Sequence, residues 1–408
     1  MDLDSAEQSR IKRPKLEHRA PPLDFLTRLP RELVLEIFSK LPVSSLLNVM
    51  YVCRSWRSLA QDPSIAPHLS GITKNNQCLI FHCDTPIRSQ VCLADFISSP
   101  GNIQKVTNLL PIFTSSMPEF DVVASWDGVL CLFDSLFGDK LYLYNPFTNF
   151  FKQFPQPVKH PNQESVIGFG FVQKTQEFKV VQVISINPFK DYPRETAPPC
   201  SRTLILSLGS SKWRDIGEVE YHFVQCTSQI LVNGRLHWVT QPRKRGRNRW
   251  SALVSFDLTN EVYEHVPIPY SETLKKYEFH LLVIKGCLSA AFYCRRGRLE
   301  IWVMKNYGVK ESWIKEFSIR NHVPKGLKEN YELDFWGVKF LKTVSRAKSV
   351  RAVCVLDNGE ILLEFKGKAL ATYDPTKRKF KDLQIQGIPN WFQVIHAGSF
   401  NWIHALPS

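Results

Sequence analysis

The stretch "LPRELVLEIFSKLPVSSLLNVMYVCRSWRSLA", residues 29–60, sets two Leu-Pro pairs around a segment too apolar to coat a soluble surface. Pro30 suits the first turn of a helix, where its missing N–H would have no partner, and Thr27 is the candidate cap. Leu33, Val34, Ile37, Phe38 and Leu41 then recur at helical spacing. Pro42 ends this helix and opens a second that carries Val43, Leu46, Leu47, Val49 and Met50. A third runs through Val52, Trp56 and Leu59 and stops at "QDPS". Three short helices form a module near the size at which a lone core fails. They carry more large apolar side chains than they can bury, and the rest of the chain offers no evident mate. Another protein is expected to cover the ridge. Burying five or six such side chains is worth roughly 8–15 kcal/mol, against association costs of about 4–15 kcal/mol.

Beyond residue 75 the texture changes to short apolar runs punctuated by Gly, Asn, Asp and Pro. "WDGVLCLFDSLFGDKLYLYNPFTNFFKQFPQP" (126–157) and "LVNGRLHWVTQPRKRGRNRWSALVSFDLTNEVYEHVPIP" (231–269) share one plan. Each runs from a turn Gly into an apolar strand, a loop, a strand ending in Asn or Asp, a tight turn, an aromatic-bearing strand and Pro. Looser copies occupy 281–319, 352–385 and, with a long inserted loop, 166–219. Residues 78–97 and the closing "WFQVIHAGSFNWIHAL" are assigned to the remaining blade or blades. Units of four short strands cannot bury both faces alone, and radial stacking lets neighbours cover one another. The expected fold is therefore α+β and multidomain. A basic tail too polar to pack (1–22) precedes a three-helix module (23–70) and an all-β, kelch-like propeller of about six blades (71–408).

Composition narrows the function. At 44% hydrophobic residues the chain can build a sizeable core. No run approaches about eighteen apolar residues and no secretory leader opens the sequence, so an intracellular protein without a membrane span is expected. The ten cysteines form no CxxC pair and read as buried thiols in a reducing compartment. Net charge is +14, of which +2 lies in residues 1–70 and +12 in the remainder, a balance that suits acidic partners or nucleic acid alike. Arg10, Lys12, Arg13 and Lys15 cluster as short nuclear-import signals do, and the expected location is the nucleus, the cytoplasm or both.

The helical segment closely resembles the F-box, the module that docks on a Skp-type adaptor in cullin-based ubiquitin ligases. The resemblance is carried by Leu29-Pro30, Glu32, Leu33, Ile37, Leu41-Pro42, Ser45-Leu46 and "VCRSW", Val52 to Trp56. It implies that Leu29, Pro30, Leu33, Ile37, Leu41, Pro42, Leu46, Val52 and Trp56 contact the adaptor. "LYLYNPFTNFFKQFP" (141–155), "LILSLGSSKWRDI" (204–216) and "NGRLHW" (233–238) resemble signatures of the plant F-box-associated, kelch-like domains. Members of that group use the domain to hold the protein destined for ubiquitin transfer. The implied role is the substrate-receptor subunit of an SCF-type ligase, with a Skp-type adaptor, cullin through it, and a target protein as partners.

Catalysis is not expected. There is no HExxH, no GxSxG, no phosphate-cradling Gly loop and no metal or cofactor signature. His237 and His404 each lie beside a Trp in strand-like runs and read as satisfied structural histidines. The run "RKRGRNR" joins two strands of one blade. Its Arg243, Lys244, Arg245, Arg247 and Arg249 are the candidate substrate contacts, suited to an acidic or phosphorylated surface. A non-ligase or nucleic-acid-associated propeller scaffold is the competing reading. Against it, no aromatic alternates with those arginines, and the third helix holds only Arg54 and Arg57.

Overall fold

The computed structural model describes the helices between residues 29 and 60 and the strands between residues 77 and 398, with many of their turns. Outside the described residues lie 1–28, Pro42, 61–76, 97–103, 110–118, 187–200, 241–251, 270–278, 321–349, 399–408 and several shorter connections.

Helices α1 (Arg31–Ser39), α2 (Val43–Val52) and α3 (Arg54–Ala60) come first. Strands β1 (Gln77–Cys83), β2 (Gln90–Phe96) and β3 (Gln104–Leu109) follow, and then five four-stranded sheets. Blade 1 is β4 (Phe120–Trp126), β5 (Val129–Asp134), β6 (Leu141–Asn145) and β7 (Phe150–Gln153). Blade 2 is β8 (Gln163–Val172), β9 (Glu177–Ile186), β10 (Ser201–Ser207) and β11 (Arg214–Val219). Blade 3 is β12 (Ile230–Val232), β13 (Arg235–Val239), β14 (Leu253–Asp257) and β15 (Tyr263–Val266). Blade 4 is β16 (Phe279–Ile284), β17 (Cys287–Cys294), β18 (Arg298–Met304) and β19 (Trp313–Ile319). Blade 5 is β20 (Arg351–Val355), β21 (Ile361–Phe365), β22 (Ala369–Asp374) and β23 (Lys379–Asp382). Two late strands, β24 (Ile385–Gln386) and β25 (Phe392–Gly398), join β1–β3 in a sixth sheet of order β24-β3-β2-β1-β25. The first strand of each blade lies against the next blade, and β25 touches both β20 and β4, so six blades close a ring. The fold is an N-terminal helical module followed by a six-bladed β-propeller.

Burial explains why each sequence unit became a blade. The middle strands β6, β14 and β21 are buried at every position, because the blade on either side covers one face. The fourth strands β7 and β23 are largely exposed edges carrying Lys and Gln or Asp. The 126–157 unit read from sequence began one strand late. It omitted β4, whose mixed, mostly half-buried pattern gives no continuous apolar run. Asn233 and Gly234 both take positive φ (52° and 71°) and connect Val232 to Arg235, the two-residue turn that matches strand twist.

Every seam between blades adds a polar tie to its apolar contact. Trp213 and Trp313, each at the head of a fourth strand, donate to the carbonyls of Pro155 (3.2 Å) and Pro267 (2.7 Å) just past the preceding blade's fourth strand. This pairing is the physical content of the recurrent aromatic-then-Pro pattern. Gln229 accepts from the Phe169 N–H (2.9 Å) and donates to its carbonyl (3.0 Å), tying blade 3 to β8. Gly168 sits at that seam, where an added Cβ would meet the Trp238 ring at 2.6 Å. Lys179 donates to the Leu258 carbonyl (2.8 Å) and to Glu261 (3.0 Å). Between blades 4 and 5, His280 Nε2 lies 2.9 Å from the Ala352 carbonyl and the Tyr293 hydroxyl donates to Val350 at 2.6 Å. Ser125 donates to the Ile395 carbonyl (3.0 Å) between blade 1 and β25.

His237 spans blades 3 and 4 and is fully buried. Its Nδ1–H donates to the Ile230 carbonyl (3.1 Å), which leaves Nε2 to accept from the Tyr307 hydroxyl at 2.7 Å. Burial disfavours the charged ring and lowers its pKa from 6.5 to about 4. The unfolded chain therefore takes up this proton before the folded one does. The stability His237 provides is complete above pH 6.5 and is lost as pH falls toward about 4. The loss should reach up to about 3 kcal/mol. Denaturant midpoints measured across that window should fall for the wild type and flatten for His237→Gln. Asp257 and Glu261 act at lower pH. Burial alone would raise both carboxyls, but hydrogen bonds to Asp257 from Asn260 and to Glu261 from Arg214 and Lys179 hold each below its ordinary value.

Candidate functional site

The candidate site is the outer face of the helical module. Pro30 stands at the N-cap of α1 rather than inside its first turn, and its carbonyl accepts from Leu33 N–H (3.0 Å) and Val34 N–H (3.2 Å). Thr27, the cap expected from sequence, and Pro42 lie outside the described residues. Val52 closes α2 instead of opening the third helix. Cys53 interrupts the helix there, and its Sγ accepts the Trp56 N–H at 3.5 Å, standing in for a capping side chain. Arg57 turns back so that its Nε donates to the Met50 carbonyl at 3.0 Å, which satisfies an end group of α2. The "VCRSW" run is thus a helix-to-helix joint, and Arg57 serves it rather than a nucleic acid. Trp56 packs on Phe38 with ring centroids 5.9 Å apart.

The ridge expected to await a foreign cover divides in two. Val34, Leu35, Phe38, Leu46, Leu47, Val49 and Met50 are buried in one core with Ile80, Val91, Leu93 and residues of blade 1. The expectation that the chain holds no mate for the helices is therefore corrected: β2 packs against α2. Leu46, counted among the adaptor contacts from sequence, is only 4% exposed and belongs to this internal core. Its spacing alone could not tell an inward from an outward position. Leu29, Leu41 and Trp56 are half-buried and pack against the same core. Pro30 is exposed, Leu33 and Ile37 are 47% and 42% exposed one turn apart on α1, and Val52 is 60% exposed. Tyr51, which sequence reasoning passed over, is 69% exposed beside Val52. It lies outside the apolar spacing read for the second helix, which carried Val43, Leu46, Leu47, Val49 and Met50.

Magnitudes limit what this face can do alone. Completing the burial of Leu33, Ile37, Tyr51 and Val52 is worth about 3–7 kcal/mol. That meets only the low end of the cost of association, so a partner must add contacts beyond these four side chains. Among the described residues, no group of three or more His, Cys, Asp or Glu is placed to hold a metal ion. Among the described residues no cysteine is in a disulfide, and burial raises the Cys131 thiol well above its usual range. No described helix is long and apolar enough to cross a membrane.

The other sequence-derived candidates fall outside the described residues: Arg10, Lys12, Arg13 and Lys15, then Arg243, Lys244, Arg245, Arg247 and Arg249, and His404. The flanks of the basic segment are described and are tied together. Thr240 N–H donates to the Ala252 carbonyl at 2.8 Å, and Ala252 N–H donates to Thr240 Oγ1 at 3.3 Å.

Comparison with known proteins bears on both parts. Residues 26–70 match the family described as F-box-like, and residues 85–390 match the F-box associated beta propeller domain. The F-box protein At3g07870 of Arabidopsis thaliana is 43% identical over 396 residues, covering 92% of each chain. The F-box/kelch-repeat protein At3g23880 of the same plant is 25% identical, covering 86% of this chain and 89% of its own. Among solved structures, oligogalacturonate lyase in complex with manganese is similar at 10% identity and a TM-score of 0.41, covering 77% of this chain and 80% of its own. That likeness is too remote to carry activity across.

Leu46→Ala should cost about 2–5 kcal/mol of stability, as a core truncation does. Leu33→Ala and Ile37→Ala should each stay within roughly 1 kcal/mol of the wild type. Denaturant melts of the three variants will separate core from free face.

Proposed function

Because the chain belongs to the F-box proteins that carry an F-box-associated β-propeller, we propose that it is the substrate-receptor subunit of an SCF-type ubiquitin ligase. Residues 23–70 dock on a Skp-type adaptor and, through it, on cullin. The propeller, taken as residues 71–408, holds the target protein. The observation that carries the docking half is the pair Leu33 and Ile37, left half-exposed on α1 while Val34, Leu35 and Phe38 of the same helix are buried. A folded helix that seals one apolar row and leaves another wet is built to be covered. Pro30, Val52 and the edges of Leu29, Leu41 and Trp56 extend that surface, and Pro42 is a further proposed contact. Leu46 supports the surface from beneath.

The subunit performs no bond chemistry in this reading. It raises the rate of ubiquitin transfer by holding the target near the conjugating enzyme, an effect of proximity. Arg243, Lys244, Arg245, Arg247 and Arg249 are the proposed contacts for an acidic or phosphorylated patch on the target. Arg10, Lys12, Arg13 and Lys15 are proposed to direct import, placing the complex in the nucleus as well as the cytoplasm.

The direct test is co-purification. Leu33→Asp with Ile37→Asp should remove a Skp-type adaptor from the purified chain while leaving the circular dichroism spectrum and melting curve intact. Retention of the adaptor by the intact double variant would refute the docking assignment. Reversing the five basic residues to Glu should abolish target capture and leave adaptor binding unchanged. Tight binding of the wild-type chain to random duplex DNA with a steep salt dependence would favour a nucleic-acid scaffold instead.

A further inference from the structure

The helices and the sheet that closes the ring share one core. Leu46, Val49 and Met50 of α2 are buried together with Ile80 of β1 and with Val91 and Leu93 of β2. Strands β1 and β2 belong to the sixth sheet, which is assembled from two distant parts of the chain. β25 pairs antiparallel with β1 from Cys78↔Gly398 to Cys83↔Phe392, and β24 pairs in parallel with β3. A charged clasp from blade 5 fixes β25 in place. The Arg351 guanidinium donates to both the Val394 carbonyl and, at 2.6 Å, the Glu364 carboxylate. The Val394 N–H donates to the same carboxylate oxygen at 3.0 Å. On the opposite flank Ser125 donates to Ile395.

Three helices of seven to ten residues cannot hold a core alone, so the closing sheet is the counterpart that orders α2. We infer that the helical module and the closing blade are one cooperative unit, in which the pairing of β25 with β1 holds the helices in place. Opening the ring at Arg351 and Glu364 then loosens α2, although the two lie at opposite ends of the described chain. The coupling is reciprocal: a ligand that needs ordered helices also tightens the ring. This inference goes beyond the docking proposal and does not depend on which molecule covers Leu33 and Ile37.

Hydrogen exchange on the full chain tests it. Arg351→Met removes the charge-assisted clasp and keeps an apolar stem at the position. Backbone amides of 43–52 and of 90–96 should then exchange faster by a common factor of about ten or more, and those of 253–257 in blade 3 by less. Acceleration of 90–96 with 43–52 unchanged, or no acceleration of either, overturns the inference. If the variant does not fold, the wild type in increasing sub-denaturing urea decides. Segments 43–52 and 90–96 should open with the same free energy and the same denaturant slope. A separate opening of 43–52 with a smaller slope overturns the inference. Neither measurement involves an adaptor, so failure here is distinct from failure of the docking proposal.

Discussion

Six sheets arranged radially leave one problem that no single blade solves: the first and last strands must meet. Here they meet in the pairing of β25 with β1, reinforced by Arg351, Glu364 and Ser125. Each blade buries its faces only because a neighbour lies on either side, so an open ring would expose two apolar sheet faces at once. The polar ties at the other seams have the same logic. A Trp N–H on a Pro carbonyl, a Gln amide pairing with strand backbone and a Lys under a loop carbonyl each satisfy groups that would otherwise be buried unpaired. They set the register of one blade on the next, which apolar contact alone leaves loosely specified.

The helical module depends on that same closure. Its apolar side chains divide between two duties. One row packs down on the closing sheet and blade 1, and a second, centred on Leu33 and Ile37, faces outward. The division changes the energetics of the proposed docking. The free row supplies less apolar burial than the whole stripe would, so an adaptor must gain from Pro30, Tyr51, Val52 and polar contacts as well. It also changes the mechanics of the proposed docking, since the module is seated on the propeller through a shared core.

The sequence made the broad plan readable. Helical spacing from Leu33 to Leu41 and the Pro30 and Pro42 punctuation located the helices to within a residue or two, and the repeated turn-Gly, Asn or Asp, aromatic and Pro order located five blades. Strands β1, β2 and β25 of the sixth blade were legible as leftovers at both ends of the repeat array. Two things were not legible. β4 lacks a continuous apolar run because much of it is only half-buried. Leu46 and Leu33 are identical side chains at equally good helical positions, and periodicity assigns a stripe without saying which part of it another element of the same chain will cover.

What local chemistry dictates, then, is the set of elements: where helices start and stop, where hairpins turn, and which strands have neighbours on both faces. These follow from backbone preference and side-chain pattern, which act over a few residues. The choice of which apolar face stays wet, the meeting of β1 with β25 and the seating of α2 on β2 join residues hundreds of positions apart. Such contacts depend on how whole sheets fit around a common axis, and only the folded ring sets them.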